Sequence, residues 1–213
     1  IKENKSVTSL DHHAPAEKII KLTKNHSYSL NHSACVLAWK YFFPKKAVPK
    51  LLKYIEARDL WRFNLPHAKE ILMYTELFNF DFKIWNKLAN ELENSQKRKK
   101  CIKMGSVLLS YRDKIINDII TTHGELVKFA GYKIIAVNSP RVFRSQMGML
   151  IAQKTPPFGI IWNRRSGKIL VSLRSIDKFD VFKIAAKFGG SGHKNSAGFI
   201  LDSNAKLPWK YLK

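Results

Sequence analysis

The feature that most constrains the fold of this chain is a change in hydrophobic periodicity at Gly124. Before it, apolar residues recur at the spacing of amphipathic helices, and after it short β-prone segments alternate with turns. We therefore predict an α/β chain with three parts. Residues 1–94 form a mostly helical part, residues 95–123 a long helical linker, and residues 124–213 a small mixed α/β domain.

Individual elements follow from the same patterns. In the first part we expect a strand at 7–10, a short helix or loop at 17–22, and helices at 31–43, from Pro49 onward, at 69–77 and at 81–92. In the last part we expect a hairpin of 125–129 with 133–137, a helix at 145–153, strands at 158–163 and 168–174, a helix at 180–188 and a strand at 196–201. The linker helix should bury Ile102, Val107, Leu109, Ile115, Ile116 and Ile119.

The charge of the chain is strongly positive. Lysine and arginine number 38 against 16 acidic residues, which gives a net charge of +22. Such an excess attracts polyanions and suits a phosphate-bearing substrate. The abundance of Lys, Ile and Asn is also typical of an AT-rich coding sequence, so charge supports such a substrate without identifying it.

Two cysteines, Cys35 and Cys101, stand in unrelated contexts without a CxxC spacing. This favours two free thiols in a reducing cytoplasm over a disulfide or a cysteine zinc site. No apolar run approaches the ~20 residues that span a bilayer, and the N-terminus has no signal-peptide pattern. We expect a cytoplasmic protein without a membrane partner.

The tripeptide Asp11-His12-His13 directly follows the predicted strand 7–10. Side chains at the carboxyl edge of a sheet commonly form sites in α/β proteins. One carboxylate and two imidazoles can ligate Mn²⁺, Fe²⁺, Co²⁺ or Zn²⁺, or polarise a phosphate. The chain has 7 histidines, so the tripeptide alone is a weak signal.

A glycine-rich segment, Gly189-Gly190-Ser191-Gly192-His193, lies near the other end of the chain. Glycines allow close backbone approach, and successive free N–H groups can bind an anion that His193 also contacts. The alternative is a helix end with a surface histidine. Three glycines exceed what a helix end needs, so we favour the anion-binding interpretation.

Together these two motifs resemble the layout of the DHH phosphoesterase superfamily with its DHHA1 domain. Further segments share the resemblance: residues 31–42 are similar to the helix after the DHH motif, 58–63 to the region of the fourth acidic motif, and 171–175 to the DHHA1 strand that faces substrate. Residues 195–199 continue the glycine-rich motif. The most similar subgroup is the oligoribonuclease or cyclic-nucleotide phosphodiesterase-like one.

The resemblance implies an active site between two domains, with a dinuclear manganese centre on the DHH domain. Asp11 would be a metal ligand, and His12 a ligand or a catalytic residue beside the metal. His13 would be a catalytic residue that orients the site or helps bind phosphate. Asp59, in the fourth motif, would be a further metal ligand.

The same resemblance implies that the DHHA1 domain holds the phosphates of a short RNA, DNA or nucleotide substrate. Arg174 would contact the nucleotide or a backbone phosphate, assisted by Ser172 or Ser175. The remaining substrate-binding residues would be Gly190, Gly192, His193 and Asn195.

Two departures from the family pattern affect the metal centre. Ten residues precede Asp11, so we expect the family's N-terminal His- and Asp-rich metal motif to be missing. Ala57 stands where relatives have aspartate, and Asp59 or Glu56 could substitute, although Asp59 could equally form a surface salt bridge with Arg58 or Arg62. Two nearby divalent ions need several carboxylates, so we expect weak manganese binding.

These observations predict a truncated, mostly helical DHH-domain remnant joined to a DHHA1 domain. The intact family member would hydrolyse phosphodiesters of short oligonucleotides or of cyclic or dinucleotides, and this chain would be impaired alone. The alternative is a non-catalytic remnant of a split or truncated phosphoesterase that binds phosphate or nucleic acid. A missing N-terminal partner chain or a homodimer could complete the site.

Overall fold

The computed structural model describes residues 6–13 and 16–212. The chain divides into two compact units, Ile1–Tyr111 and Arg112–Lys213. Unit 1 is mostly helical and unit 2 is built around a sheet. The predicted mixed α/β class is confirmed.

Unit 1 opens with two short parallel strands. Strand β1 (Thr8–Asp11) pairs with β2 (Asn25–Tyr28), and the one-turn helix α1 (Glu17–Ile20) lies between them in the chain. We did not predict β2, because its residues, apart from Tyr28, have low strand propensity. Pairing with β1 satisfies its backbone instead.

Four helices follow: α2 (Ala34–Phe42), α3 (Lys50–Asp59), α4 (Ala68–Thr75) and α5 (Phe82–Glu93). Asp81 caps α5 by accepting a hydrogen bond from Ile84 N–H. No side-chain cap forms at the start of α2, because the Ser33 hydroxyl donates to Glu56 rather than accepting from the helix backbone. The core of unit 1 consists of Leu51, Tyr54, Ala68, Ile71, Leu72, Leu88, Leu92 and Cys101.

Helix α6 (Ser95–His123) runs for 29 residues and contains the boundary between the units. Cys101 lies in the core of unit 1, and Ile116 and Ile120 in a core of unit 2. The prediction that Val107 is buried was wrong, because its side chain is 62% exposed. At about 100° per residue it points away from the face that carries Cys101 and Gly105.

Unit 2 contains a seven-stranded sheet with the order β7-β8-β6-β5-β4-β3-β9. Its strands are β3 (Gly124–Phe129), β4 (Tyr132–Asn138), β5 (Phe158–Arg165), β6 (Lys168–Ser175), β7 (Ser191–His193), β8 (Ser196–Asp202) and β9 (Lys210–Tyr211). Strands β4 and β5 are parallel, and all other pairs are antiparallel. A 3-10 turn (Arg141–Phe143) and helix α7 (Arg144–Lys154) connect the parallel pair, and helix α8 (Phe182–Ala186) precedes β7.

Two separate apolar clusters fill unit 2. One contains Phe129, Phe158, Phe199, Trp209 and residues of α8. The other joins α7 and the end of α6 to β4 and β5 through Ile116, Ile120, Val137, Met147, Ile151 and Ile161. Successive residues of a strand point to opposite sides, so Ile160 enters the first cluster and Ile161 the second.

The glycine-rich segment is where the structure departs most from the predicted elements. Residues 191–193 form edge strand β7, and α8 ends at Ala186 rather than at 188. The short strand β9 was not predicted either, because two residues carry no periodic pattern.

Within residues 6–13 and 16–212, no helix has the length and apolar character that crossing a membrane requires.

Candidate metal and phosphate sites

The DHH loop, which we define as residues Asp11-His12-His13 at the end of β1, is organised around one oxygen of Asp11. Its Oδ1 accepts hydrogen bonds from His12 N–H (2.6 Å), His13 N–H (3.1 Å) and His13 Nδ1–H (2.7 Å). The side-chain bond from His13 is the main reason that the pKa of Asp11 falls to about 2. Asp11 is therefore ionised at neutral pH, and its Oδ2 has no hydrogen bond from any described residue.

The His12 ring lies between the DHH loop and two helices. Its side chain is 9% exposed, its Nδ1 accepts a hydrogen bond from Ala34 N–H (3.1 Å), and its Nε2 lies 3.4 Å from Asp59 Oδ2. The His12 and His13 rings stand 4.2 Å apart, centroid to centroid. Tertiary folding thus brings the start of α2 and the end of α3 to the DHH loop.

Asp59 does not form the surface salt bridge that the sequence left open. Arg58 pairs with Glu76 (3.5 Å), and Arg62 pairs with no carboxylate in the described part of the chain. The ionisable side chain paired with Asp59 is His12. Glu56 lies elsewhere, since it binds the backbone at the start of α2. Of these two acids, only Asp59 is next to the DHH loop.

The arrangement fits a divalent transition-metal ion. Among the described residues, Asp11, His12 and His13 form one group whose ligand atoms lie within 4.8 Å of one another. The 3.4 Å between His12 Nε2 and Asp59 Oδ2 matches the ~3.4 Å between two ligand atoms that share one ion at ~2.1 Å in tetrahedral geometry. Carboxylate and imidazole together form a mixed donor set that suits Mn²⁺ or its neighbours.

Unit 2 contains a second site, a pocket of about 410 Å³. Its polar lining residues are Arg141, Arg144, Ser172, Arg174, Ser191 and Ser196, beside Gly189, Gly190 and Gly198. Arg141 lies in the 3-10 turn, Arg144 starts α7 and Arg174 lies near the end of β6. No carboxylate is among its lining residues in the described chain, so the pocket is strongly positive.

Arg174 has the most perturbed environment in this pocket. Burial, followed by repulsion from Arg144 and Arg141, lowers the pKa of its guanidinium to about 10. Burial and Arg141 also lower the pKa of Arg144. Among the described residues, Arg174 donates to Leu173 O (2.9 Å) and Ser145 Oγ (3.3 Å) and pairs with no carboxylate. A partly buried cation in such surroundings is a site prepared for an anion.

Close backbone contacts and backbone conformation explain why residues 190 and 192 are glycine. A Cβ atom at Gly190 would lie 2.3 Å from Gly198 O, and one at Gly192, where φ is +138°, would lie 2.5 Å from Ala197 Cα. The β7–β8 hairpin therefore closes only because these positions are glycine. The pocket wall beside Arg174 depends on that closure.

The predicted substrate-binding residues fall into two groups. Ser172 and Gly190 line the pocket with Arg174, whereas Gly192, His193 and Asn195 are not among its lining residues. His193 is exposed on β7. The Asn195 amide nitrogen donates to Ser175 Oγ (3.0 Å) and to the Asp177 and Phe179 carbonyls.

Sequence reasoning missed Arg141 and Arg144. The available signal was an Arg-x-x-Arg spacing directly after a predicted strand and Ser139-Pro140. Without the sheet order, nothing in the sequence indicated that these arginines approach Arg174.

Comparison with known families agrees with the fold of unit 2. Residues 127–208 match the DHHA1 domain family. Unit 2 is therefore similar to a DHHA1 domain, and this likeness supports the DHH superfamily for the chain.

Among individual proteins, the chain is 34% identical over 201 residues to an uncharacterized protein of Acanthamoeba polyphaga mimivirus. The match covers 89% of this chain and 46% of that protein, so the chain spans about half the length of this relative. The chain also resembles the DHH domain of a member of a ribosomal protein family, with a TM-score of 0.58, 13% identity, and coverage of 97% of this chain and 60% of that one. A weaker likeness is to RecJ from Thermus thermophilus in complex with Mg²⁺, with a TM-score of 0.41, 16% identity, and coverage of 66% and 23%.

Proposed function

We propose that this chain belongs to a metal-dependent phosphoesterase that hydrolyses phosphodiesters of short oligonucleotides or of cyclic or dinucleotides. The observation that carries the proposal is the pocket around Arg174 in the DHHA1-like unit, which three arginines and, among the described residues, no carboxylate line. Such a pocket favours phosphate, because guanidinium groups donate paired hydrogen bonds to phosphoryl oxygens.

In unit 2, Arg174 would bind a phosphoryl group of the substrate, and Arg141 and Arg144 would add charge. Ser172, Ser191 and Ser196 offer hydroxyl donors within the same pocket. Binding an anion removes the repulsion among the arginines, so the pocket gains more from a phosphate than isolated surface arginines would. Gly192, His193 and Asn195 remain predicted substrate-binding residues.

In unit 1, Asp11, His12 and Asp59 would hold a metal ion, with manganese the family's usual ion. When bound, the ion supplies Lewis acidity and lowers the pKa of a coordinated water. His13 donates its Nδ1–H to Asp11, so its Nε2 carries a lone pair in the neutral ring. His13 would therefore act as a general base that accepts a proton at Nε2. The hydrogen bond from its Nδ1–H to Asp11 would hold the ring in the required orientation.

The described ligand set supports one ion better than two. Asp11 and Asp59 are its only carboxylates, and two close divalent ions repel strongly without several such groups. We propose that the chain alone binds Mn²⁺ weakly and turns over slowly. A partner chain or a second copy that supplied further acids would raise its activity.

The test is a turnover assay of the full chain with Mn²⁺ and a 5′-labelled dinucleotide or short oligoribonucleotide. Wild type should show slow hydrolysis that Asp11→Asn abolishes, with Asp118→Asn, an exposed acid of α6 paired with Lys114, as the control. Hydrolysis that survives Asp11→Asn or removal of metal would contradict the proposal.

A second candidate function is phosphate or nucleic-acid binding without catalysis. It is favoured by the arginine pocket being formed entirely by residues of unit 2. Under this alternative, Mn²⁺ changes neither the affinity of the chain for pyrophosphate nor its affinity for short oligonucleotides. No hydrolysis product of the oligonucleotide appears. Binding that requires the metal would favour the enzyme.

A further inference from the structure

We infer that Glu56 is a positioning residue for the candidate metal site, acting on the His12 ring through the first turn of α2. The inference rests on the proposed function only in taking His12 as a metal ligand. The contacts that carry it are hydrogen bonds among α3, α2 and the DHH loop.

Glu56 holds the start of α2 through three hydrogen bonds. Its Oε2 accepts from Ser33 N–H (2.8 Å), Ser33 Oγ–H (3.3 Å) and His32 Nδ1–H (3.3 Å). Lys40 Nζ donates to His32 Nε2 (2.7 Å), which fixes the His32 proton on Nδ1, toward Glu56. Because Ser33 is fully buried, its N–H has no water to replace Glu56.

The next amide of the same turn holds His12. Ala34 N–H donates to His12 Nδ1 (3.1 Å), and because an N–H can only donate, Nδ1 must be the unprotonated ring nitrogen. The neutral ring therefore carries its proton on Nε2, facing Asp59. Asp59 and Glu56 lie one turn apart on α3. Helix α3 thus fixes the ring from both sides, directly at Nε2 and through α2 at Nδ1.

Metal binding adds a demand on this turn. An ion at His12 Nε2 leaves the ring proton on Nδ1, where it opposes Ala34 N–H, so that hydrogen bond must be given up in the loaded site. Because Glu56 holds the first turn of α2, it keeps Ala34 N–H against His12 Nδ1 and favours the metal-free tautomer. Removing Glu56 lets that N–H withdraw, so the cost of one hydrogen bond, about 2- to 10-fold in affinity, no longer opposes the ion.

The first test reads the His12 tautomer in the metal-free full chain by long-range ¹H–¹⁵N correlation. Wild type should show the Nε2–H form. Glu56→Ala should give a mixture of tautomers, whereas Glu56→Gln, whose amide oxygen can still accept from Ser33 N–H, should restore the Nε2–H form. A folded Glu56→Ala chain with the wild-type spectrum would overturn the inference.

Two further variants separate positioning from general stability. Ala34→Pro removes the N–H that reaches His12 and puts the ring Cδ in its place, so the His12 ring must also move away; the backbone tolerates proline at this first helical position. It should also give mixed tautomers, even if Glu56→Ala does not fold. Glu93→Ala removes a matched carboxylate that binds Lys50 N–H (2.7 Å) at the other end of α3, and should leave His12 unchanged. An equal change in Glu93→Ala, or none in Ala34→Pro, would refute the inference.

A parallel Mn²⁺ titration tests the consequence for the metal. Glu56→Ala should bind Mn²⁺ about 2- to 10-fold more tightly than wild type, because the Ala34 N–H no longer opposes the Nδ1–H tautomer, and Glu93→Ala should bind equally well. Weaker binding in Glu56→Ala would contradict this. The spectra use neither metal nor substrate, so absence of hydrolysis would overturn the proposed function alone. Unchanged Mn²⁺ affinity in Glu56→Ala would overturn the positioning role.

Discussion

His12 Nε2 lies 3.4 Å from Asp59 Oδ2, although one residue follows β1 and the other ends α3. The Asp59 side chain is 43% exposed, so a carboxylate there could have been an ordinary surface acid. Its position against a nearly buried histidine, beside the ionised Asp11, makes it the third proposed ligand, after Asp11 and His12.

The Asp59→Asn variant should lose metal affinity. It keeps the size of the side chain but removes its charge, so the dissociation constant for Mn²⁺ should rise by more than about 10-fold. Isothermal titration calorimetry measures this directly. The control is Asp202→Asn, an exposed carboxylate in unit 2 that pairs with Lys168, and it should bind as wild type does. Equal affinities of the two variants would argue against Asp59 as a ligand.

Arg174→Met should separate anion binding from stability. The pKa of Arg174 is lowered to about 10, so the buried charge destabilises the folded chain at neutral pH, a penalty relieved only as the pH rises above about 10. The free energy of unfolding of the anion-free variant should therefore not fall, and could rise by up to about 1 kcal/mol.

In the same variant, affinity for pyrophosphate should drop about 10- to 100-fold, as expected for lost charge-assisted hydrogen bonds. Arg165→Met, at an exposed position at the end of β5, is the matched control. A large loss of stability together with unchanged pyrophosphate binding would show that Arg174 is structural.

Gly105→Ala should destabilise unit 1. A Cβ atom at Gly105 would lie 1.9 Å from Glu70 O, so α6 and α4 touch backbone to backbone. Alanine normally favours a helix over glycine by about 1 kcal/mol, but the helices must separate here, and the free energy of unfolding should fall by about 2 kcal/mol. Urea unfolding followed by circular dichroism measures the change. Ser106→Ala, its exposed neighbour, should stay within about 0.5 kcal/mol of wild type.

Both thiols should react slowly in the native chain. Burial raises the pKa of Cys35 and of Cys101 above the ordinary value, so little thiolate is present at pH 8. Reaction with a chromogenic disulfide should be slow for both, slowest for the more buried Cys101, and fast in guanidinium. Because the folded-state pKa values are raised, the thiols also contribute stability that is lost as the pH rises above about 8.5. Rapid native reaction of the Cys35→Ser variant would contradict the burial of Cys101.

The elements best predicted from the sequence were those in which a regular spacing of apolar residues continues over a long segment. Strands β5 and β6, joined through Ser166 and Gly167, and the hairpin of β3 with β4 were confirmed because alternation and turn residues agree there. Strands β7 and β9 are too short to carry a period, and β2 has low strand propensity, so all three form through pairing with their neighbours. Val107 was misplaced because several faces of α6 carry apolar residues, and only its packing partners select the buried one.

The sequence by itself determined the class of the fold, the DHH tripeptide and the hairpins of β3 with β4 and of β5 with β6, because these depend on neighbouring residues and local backbone geometry. Only the tertiary structure decided which distant groups complete the sites. It put Asp59 and Ala34 against His12, Glu56 against the start of α2, and two unforeseen arginines beside Arg174. Such contacts depend on helix packing and strand order, which bring together residues whose spacing in the chain carries no signal.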